Sequence, residues 1–250
     1  MDEVKKAARV LARAESLVVF TGAGVSAESG LATFRGAGGL WEGHRVEEVA
    51  TPEAFARDPE MVWRFYAMRR ERAASAQPNA GHRAIVELEG VLPSVVVVTQ
   101  NVDGLHQRAG SRRVLELHGS LWRIRCSSCG RERRDERVPL PELPPRCPTC
   151  GGLERPAVVW FGEPLPEEVF AQAELACLRA DAMLVVGTSG VVWPAAGLVE
   201  LAASSGAKVI EVNPEPSALA SLAAVHIAAK AGEALPAVVA ALREALRAGA

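Results

Sequence analysis

Residues 18–30, "VVFTGAGVSAESG", run from an apolar segment into a glycine-rich turn. The segment "SLVVF", residues 16–20, is a short apolar run, typical of a parallel strand that is buried on both faces of a sheet. Gly22, Gly24 and Ala27 then fit G-x-G-x-x-[G/A], a pattern in which backbone amides approach the pyrophosphate of a dinucleotide. A plain tight turn between a strand and a helix fits the same pattern. The stretch therefore predicts a strand and a tight turn, with a dinucleotide site as one of two interpretations.

Strand-like and helix-like segments alternate over much of the chain. Further strand-length apolar runs occupy residues 94–101, 182–188 and 208–214. Helical patterns occupy residues 82–90, 194–206 and 234–249. Strands that alternate with helices predict an α/β fold, here a Rossmann-like parallel sheet with helices on both faces.

Four of the five cysteines form two closely spaced pairs, Cys126/Cys129 and Cys147/Cys150, with seventeen residues between the pairs. This spacing matches C-x2-C-x15–20-C-x2-C, which is typical of a tetrahedral zinc site. A redox pair or buried free thiols are the alternatives. Because all four ligands are thiols, no coordination position stays open, and we expect one structural zinc rather than a catalytic metal. The fifth cysteine, Cys177, lies at helical spacing among apolar residues and is interpreted as a core thiol.

Two segments interrupt the alternation of strands and helices. Residues 36–78 are helical, and residues 122–155 hold the cysteine pairs and the charged run "RERRDER". We expect them to form one small inserted domain, a helical module with a zinc-ribbon module, in which the charged run is solvated. The Rossmann-like domain then comprises residues 1–35, 79–121 and 156–250.

The composition excludes several functional classes. The chain has 250 residues, of which 49% are hydrophobic and 23% charged, an ordinary globular composition. A net charge of −2 offers no electrostatic basis for binding nucleic acid or an anionic membrane. Residues 1–16 lack the apolar core of a signal peptide, and no apolar run is long enough to span a bilayer. We therefore expect a cytoplasmic protein without nucleic-acid or membrane partners.

Polar residues cluster just after the second predicted strand. Gln100, Asn101 and Asp103 follow that strand directly, and His118 comes soon after them. The carboxyl ends of parallel strands meet at the ligand crevice of such a sheet, so these four side chains are expected to lie together. A histidine such as His118 can titrate near neutrality, which suits a general base. The other histidines, His44, His82, His106 and His226, are interpreted as structural.

Several motifs, in this order, resemble those of sirtuins. They are "GAGVSAESGLATFRG" (22–36), "TQNVDGLHQRAG" (99–110), "LHG" (117–119), the two cysteine pairs, "FGE" (161–163), "GTS" (187–189) and "VNPE" (212–215). The resemblance extends from about residue 10 to the C-terminus. One departure is Ala32, where many sirtuins have proline, so the loop there is expected to be less rigid. Sirtuins are NAD-dependent protein-lysine deacylases, and the resemblance points to the bacterial desuccinylase and demalonylase type, which we expect to remove succinyl, malonyl and also acetyl groups.

The resemblance implies an NAD site in which NAD is consumed as a co-substrate. Residues 22–35 would hold NAD, Gln100 to Asp103 would line the nicotinamide and ribose pocket, and residues 187–189 with 213–215 would hold the adenosine half. The implied NAD-binding residues are Gly22, Ala23, Gly24, Ala27, Glu28, Thr33, Phe34, Arg35, Trp41, Gln100, Asn101, Val102, Asp103, Gly187, Thr188, Ser189, Asn213, Pro214, Glu215 and Ala231.

The resemblance also implies how an acylated lysine is bound and released. The acylated protein or peptide would pair as an added strand between "VVWFGE" and "GVVWP". The implied residues there are Val159, Phe161, Gly162, Glu163, Val191 and Val192. In the implied reaction the acyl oxygen displaces nicotinamide at the ribose, His118 accepts a ribose proton, and Asn101 and Asp103 assist. The products are free lysine, nicotinamide and O-acyl-ADP-ribose.

The segment "WRFYAMRRE", residues 63–71, contains the only tyrosine of the chain. Tyr66 and Arg69 are one helical turn apart and share a face. One branch of the sirtuins has Y-x-x-R at the acyl end of the lysine tunnel, where it recognises the carboxylate of malonyl- or succinyl-lysine. A solvated surface pair is the alternative, and the neighbouring Arg64, Arg70 and Arg72 are interpreted as solvated. We expect Tyr66 and Arg69 to recognise an acyl carboxylate.

Three other functions are alternatives to protein deacylation. Protein ADP-ribosyltransfer would use the same pocket. A zinc-ribbon binding module without catalysis would instead show a basic, aromatic-rich surface, and only 5% of this chain is aromatic. A conventional dehydrogenase would have an acidic residue at the end of a second strand about twenty residues after the glycine turn, and here the helical insertion intervenes.

Overall fold

The computed structural model describes residues 2–33 and 44–248. Within these residues, six strands form a parallel sheet and three form a smaller antiparallel sheet. The strands are β1 (Ser16–Thr21), β2 (Ser94–Thr99), β3 (Val114–Glu116), β4 (Gly119–Cys126), β5 (Glu132–Arg134), β6 (Glu154–Val158), β7 (Ala182–Val186), β8 (Lys208–Val212) and β9 (Ala223–Ile227). The helices are α1 (Asp2–Leu11), α2 (Val46–Val49), α3 (Pro52–Arg57), α4 (Pro59–Ser75), α5 (Ala80–Val91), α6 (Leu105–Ala109), α7 (Glu167–Leu178), α8 (Gly197–Ser204) and α9 (Ala231–Ala248).

The larger sheet has the strand order β3-β2-β1-β7-β8-β9, and its strands are parallel. Thr21 at the end of β1 lies opposite Thr99 of β2 and Val186 of β7. The chain order therefore reverses between β1 and β7, and ligands of open parallel sheets bind at such a reversal, outside the carboxyl ends of the strands.

Helices cover both faces of this sheet, which confirms the predicted fold class. Side chains alternate along β1, so that Leu17 and Val19 pack on one face and Val18 and Phe20 on the other. The first face is covered by α1, α5 and α9, and the second by α7 and α8. Cys177 of α7 is buried in the second face, and this burial raises the pKa of its thiol to about 12, so the core-thiol interpretation is confirmed. No helix in the described part of the chain is both long enough and apolar enough to cross a membrane.

Helices α2 to α4 and strands β4 to β6 form a second unit, here called the small module (residues 44–75 and 119–158). Its core is rich in aromatic residues, among them Phe55, Trp63, Phe65, Tyr66 and Trp160. The indole Nε1 of Trp63 donates a hydrogen bond of 2.7 Å to the carbonyl oxygen of Glu154 and so ties α4 to β6. Described residues from both sequence insertions therefore share one core cluster.

The small module differs from the sequence-based expectation at its boundaries. The predicted boundary between residues 121 and 122 falls inside β4, and the one between 155 and 156 falls inside β6. The antiparallel sheet extends from Gly119 to Val158, so it begins and ends a few residues outside the cysteine-bearing segment.

The prediction that Arg70 is solvated is wrong. This side chain is only 2% exposed, and its guanidinium donates to the carbonyl oxygens of Leu121, Asp135 (2.6 Å) and Arg137 (3.1 Å). The run "RERRDER" is not simply a solvated face either, because Asp135 is buried and accepts hydrogen bonds from Arg133 (2.8 Å) and Arg137. Charged side chains thus form part of the interior of the small module.

Candidate active site

A cavity of about 670 Å³ lies at the carboxyl ends of the parallel strands and reaches the small module. Its walls include the residues that directly follow β1, β2, β7 and β8. On the other side, α4 and the segment after β6 complete the walls. This is the position at which an open parallel sheet is expected to bind a ligand.

The glycine turn packs tightly against the end of β7. A Cβ atom on Gly22 would lie 2.8 Å from the carbonyl oxygen of Gly187, and one on Gly24 would lie 2.7 Å from the Gly187 Cα. Gly187 has φ of 59°, a conformation that side chains disfavour. The glycines are therefore required by the contact between two loops, whatever ligand the turn also approaches.

Ser26, Asn101 and Asp103 form a hydrogen-bonded group on the cavity wall. The Ser26 hydroxyl donates to Asp103 Oδ2 at 2.8 Å, and Asn101 Nδ2 donates to Ser26 Oγ at 3.2 Å and to the carbonyl oxygen of Gly22 at 3.0 Å. Burial raises the pKa of Asp103, while the amide of Leu105 and the Ser26 hydroxyl oppose this shift. The group ties the glycine turn to the segment after β2.

Gln100, Thr188 and Asn213 connect three strand ends across the same cavity. Gln100 Nε2 donates to Thr188 Oγ1 at 3.0 Å, and Asn213 Nδ2 donates to the Thr188 carbonyl oxygen at 3.0 Å. The segments after β2, β7 and β8 are therefore held in fixed positions relative to one another.

His118 is half-buried and lines the cavity between β3 and β4. Its Nδ1 lies 3.0 Å from the carbonyl oxygen of Gln100, and a carbonyl can only accept, so Nδ1 carries the hydrogen. Burial lowers the pKa of His118, and the bond to Gln100 opposes this shift. The imidazole is thus neutral near pH 7, with its lone pair on Nε2, as a general base requires.

Tyr66 and Arg69 of α4 line the part of the cavity that is formed by the small module. Tyr66 is 1% exposed, and its hydroxyl accepts a 2.9 Å hydrogen bond from Trp160 Nε1. The guanidinium carbon of Arg69 lies 5.6 Å from the centre of the Tyr66 ring. Burial raises the pKa of Tyr66, and the positive charge of Arg69 opposes this shift. The two residues form an aromatic–cation pair next to apolar walls.

The cavity contains most of the residues that the resemblance implied for NAD and substrate. Ala27, Glu28, Ala231 and Val191 do not line it: Glu28 accepts a 2.7 Å hydrogen bond from the amide of Gly232, Ala231 is buried, and Val191 is 56% exposed. Phe34, Arg35 and Trp41 lie outside the described residues. Every other implied residue, including His118, lines the cavity.

Some cavity residues were missed by sequence reasoning. Ser26 is one, although its place within the glycine turn was a usable signal. Ala50 and Leu121 are others, and they come from the loop after α2 and from β4. No local pattern marks these two residues, because only the packing of the small module brings them to the cavity.

The four paired cysteines form a cluster whose sulfur atoms fit a zinc ion. The sulfurs all lie within 4.8 Å of one another, and those of Cys126 and Cys150 are 3.5 Å apart and those of Cys129 and Cys147 3.8 Å apart. Four thiolates at about 2.3 Å from a tetrahedral zinc would be about 3.8 Å apart.

Backbone amides near the cysteines affect how readily the thiols ionise. The amide of Cys129 lowers the pKa of Cys126, burial raises it, and the pKa is lowered overall. Amides of Thr149 and Cys150 lower the pKa of Cys147 to about 6. The amide of Gly152 opposes a rise in the pKa of Cys150, but the Cys126 and Cys129 side chains outweigh it, and this pKa is instead raised to about 12. It is therefore the spacing of the four sulfurs that suits one structural zinc.

This chain is similar to Sir2 proteins both in sequence and in fold. The model of the Sir2 family matches residues 22–194. The "NAD-dependent protein deacylase 2" of Pyrobaculum aerophilum is 57% identical over 241 residues, which cover 96% of this chain and 96% of that protein. A Sir2 homologue in complex with NAD is 49% identical with a TM-score of 0.90, over 96% of this chain and 94% of the other. Sir2Af2 bound to a myristoylated histone peptide is 40% identical with a TM-score of 0.80, over 100% and 99%.

The matched region contains the glycine turn, the group of Ser26, Asn101 and Asp103, and His118, which together surround the cavity. The similarity in sequence and in fold covers nearly the whole chain and not just this site. The chain belongs to the Sir2 family.

Proposed function

We propose that this chain is an NAD-dependent protein-lysine deacylase that removes succinyl and malonyl groups in preference to acetyl groups. The observation that carries the preference is the position of Tyr66 and Arg69, which line the same cavity as His118. Tyr66 and Arg69 would bind the carboxylate of the acyl group. The acyl carbonyl would then face the part of the cavity near His118, where NAD would bind.

The surroundings of Arg69 suit a small carboxylate. Its guanidinium lies over the rings of Phe65 and Tyr66, at 5.8 Å and 5.6 Å from the ring centres. Other residues that line the same cavity, among them Ala50, Ala73 and Leu121, are apolar and small or medium in size. Charge-assisted hydrogen bonds are strong in such surroundings, because little water competes for the charges. The Tyr66 hydroxyl accepts from Trp160 and can still donate its own hydrogen to a ligand.

The residues at the other end of the cavity suit the chemistry of NAD, which supplies an electrophilic ribose carbon when bound. Ser26, Asn101 and Asp103 offer polar groups to the nicotinamide ribose, and Gln100 with Thr188 forms the wall beside them. His118 holds a lone pair on Nε2 and acts as the general base for a ribose hydroxyl.

An acylated peptide would bind as an added strand between residues 158–163 and 190–194. Both segments border the cavity, and Phe161 and Trp193 expose about half of their surface there. The amides of Val159 and Phe161 already donate to the carbonyl oxygens of His118 and Ala50. Pairing with a peptide must therefore use other main-chain groups of the two segments. Sir2Af2 bound to a myristoylated histone peptide supports an acyl-lysine peptide as the class of substrate.

The substrate preference is tested with Arg69→Met and one peptide that carries acetyl-, malonyl-, succinyl- or myristoyl-lysine. We expect kcat/KM for succinyl- and malonyl-lysine to fall by about 30-fold, the effect of losing a charge-assisted hydrogen bond worth about 2 kcal/mol. Activity on acetyl- and myristoyl-lysine should change little. Arg64→Met on the exposed side of the same helix is the matched control and should leave all four activities intact. Equal losses on all acyl groups, or no loss on any, would remove the proposed preference.

Product stoichiometry tests the reaction class. A deacylase forms one O-acyl-ADP-ribose for each nicotinamide released, whereas an ADP-ribosyltransferase releases nicotinamide and labels a protein instead. A binding protein without catalysis releases no nicotinamide from NAD and acylated peptide.

A further inference from the structure

His82 of α5 and His106 of α6 form a buried pair behind the cavity wall. Their side chains are 0% and 1% exposed, and their ring centres are 4.9 Å apart. Neither residue lines the cavity. Burial lowers the pKa of His82 to about 4 and that of His106 to about 3, so both rings are neutral at pH 7. A neutral imidazole has one donor nitrogen and one acceptor nitrogen.

The hydrogen-bond partner of His82 determines which of its nitrogens carries the hydrogen. The backbone N–H of Asn79 donates to His82 Nδ1 at 3.4 Å. Nδ1 is therefore the acceptor, and the hydrogen is on Nε2. Among the residues that the structure describes, this buried Nε2 has no hydrogen-bond partner.

The partner of His106 determines its tautomer in the same way. His106 Nε2 lies 2.9 Å from Thr21 Oγ1, and the Thr21 hydroxyl donates its only hydrogen to Thr99 Oγ1 at 2.8 Å. Thr21 must then accept from His106, so Nε2 carries the hydrogen and Nδ1 is an acceptor. Within the described parts of the chain, this Nδ1 is also buried without a partner.

The two unpaired nitrogens are thus complementary, a donor on His82 and an acceptor on His106. We propose that His82 Nε2–H and His106 Nδ1 are joined, directly or through one buried water, into a hydrogen-bonded relay that positions the cavity wall. Leaving both groups unpaired would cost their full desolvation, whereas rings this close are within reach of one bridging molecule.

Both ends of this relay are attached to the cavity wall. At the His82 end, Asn79 Nδ2 donates to the carbonyl oxygen of Val25 at 2.8 Å and to Ser29 Oγ at 3.0 Å, and so holds the rear of the glycine turn. At the other end, Thr99 Oγ1 accepts from the amide of Asn101 at 3.0 Å. The relay therefore sets the position of Asn101 relative to the glycine turn, and His82 and His106 are positioning residues. That kinetic consequence rests on the proposed use of NAD.

Nitrogen-15 NMR of the imidazoles tests the relay without any assay of activity. We expect both His82 and His106 to be neutral Nε2–H tautomers at pH 7, with both ring nitrogens shifted by hydrogen bonds. Slow exchange of the two Nε2 hydrogens with solvent is also expected. An Nδ1–H tautomer or a charged ring at either position would overturn the proposal.

A pair of variants tests the positioning role. In His82→Gln the amide nitrogen reaches the place of Nε2, whereas in His82→Asn the side chain reaches only the place of Nδ1. We expect His82→Asn to raise the KM for NAD by about tenfold, the effect of losing one hydrogen bond, and His82→Gln to raise it less than threefold. kcat should change less than KM in both variants.

Leu88→Ala is the matched control, because Leu88 is buried further along α5. It should lower thermal stability at least as much as His82→Asn while leaving the KM for NAD unchanged. Equal KM values for the Asn and Gln variants, or a comparable rise in the control, would refute the positioning role. If the unaltered protein releases no nicotinamide, the proposed function fails, and the NMR result still decides whether the relay exists.

Discussion

The parallel sheet and the small module are stabilised by different interactions. Valine, leucine, isoleucine and alanine predominate in the buried clusters on the two faces of the sheet. Among the described buried residues of these clusters, Phe20 is the one aromatic side chain. The small module instead combines a cluster of aromatic rings with four cysteines and buried ionic groups. The first arrangement is non-directional, whereas the second depends on particular partners.

The ionic network of the small module shows this dependence. Glu154 and Asp135 each have carboxylates that are 1% exposed, and Arg133 donates to both. Arg70 adds hydrogen bonds to three carbonyl oxygens, and its guanidinium carbon lies 5.3 Å from the ring centre of Trp122. A buried charge without its partner is costly, so each member of this network requires the others.

The small module also supports the active site through Trp122. Its indole Nε1 donates to the carbonyl oxygen of Asp103 at 2.7 Å. Gly104 has φ of 76°, and a Cβ there would lie 2.7 Å from the same indole nitrogen. Unfolding of the small module should therefore disturb the cavity wall near Asp103 as well as the wall formed by Tyr66 and Arg69.

The largest expected effect is the loss of the metal. Cys150→Ser, or treatment with a strong chelator, should unfold the small module, because structural zinc contributes on the order of 10 kcal/mol to small metal domains. Zinc content should fall, and the fluorescence emission of Trp63, Trp122 and Trp160 should shift to longer wavelength. The helical circular dichroism signal should largely persist, because the helices that pack on the large sheet stay folded. Cys177→Ser is the control, since this core thiol lies outside the cluster, and it should retain its zinc. Retention of zinc by Cys150→Ser would contradict the assignment.

The second-largest effect is the loss of stability when one buried residue of either region is replaced. Arg70→Met should cost about 4 kcal/mol, because it leaves three buried carbonyl oxygens without their donor and removes one of the positive charges near the Asp135 carboxylate, which keeps Arg133 and Arg137. Leu88→Ala in α5 should cost about 3 kcal/mol through loss of packing. Hydrogen exchange distinguishes them: we expect Arg70→Met to speed exchange mainly in β4 to β6, and Leu88→Ala mainly in β1 and β2. The same exchange pattern in both variants would show that the two regions unfold as one unit.

The pH dependence of stability should also separate the two regions. His82 and His106 have pKa values of about 4 and 3 in the folded chain against an ordinary 6.5, so the unfolded chain binds protons first. Their contribution to the free energy of unfolding is complete above pH 6.5 and declines as the pH falls below that value. At pH 5 the unfolding free energy should be lower by about 2 kcal/mol for each histidine. For Asp135, burial alone would raise the pKa, but Arg137 and Arg133 hold it well below 3.8. Its contribution is therefore lost only below about pH 4.

This difference is measured by denaturant unfolding between pH 7 and pH 5. The double variant His82→Gln/His106→Gln should have a flatter dependence of unfolding free energy on pH than the unaltered chain. Asp135→Asn should lower stability at pH 7 without altering the slope in this range. An unchanged slope in the double variant would place the titrating groups elsewhere.

The smallest effect concerns exposed ion pairs, where the two regions should not differ. Arg134 of the small module pairs with Glu136, and Arg243 of α9 pairs with Glu87 of α5 at 2.9 Å. The side chains are between 46% and 76% exposed, so Arg134→Ala and Arg243→Ala should each change the unfolding free energy by about 0.5 kcal/mol or less. A loss above about 1 kcal/mol from either one would mean that the pair is part of a larger network.

Sequence reasoning was most successful where a local pattern carries the physics. The apolar runs and glycine turn predicted the parallel sheet, and the spacing of Cys126, Cys129, Cys147 and Cys150 predicted their cluster. It was wrong for Arg70 and for Asp135 in the charged run, because charged residues are usually solvated and only long-range partners make their burial tolerable. The contact between the rings of His82 and His106 was also outside the reach of sequence reasoning, because α5 and α6 meet only in the folded chain.

The amino-acid sequence by itself determined the succession of strands and helices, the metal-binding spacing, and the polar residues that follow each strand, because each of these depends on neighbours along the chain. Only the tertiary structure decided that Arg70, which is adjacent in α4 to the cavity-lining Arg69, enters the core of the small module. Helical periodicity determines which side chains share a face, but the nature of the surface packed against that face depends on residues far away in the chain.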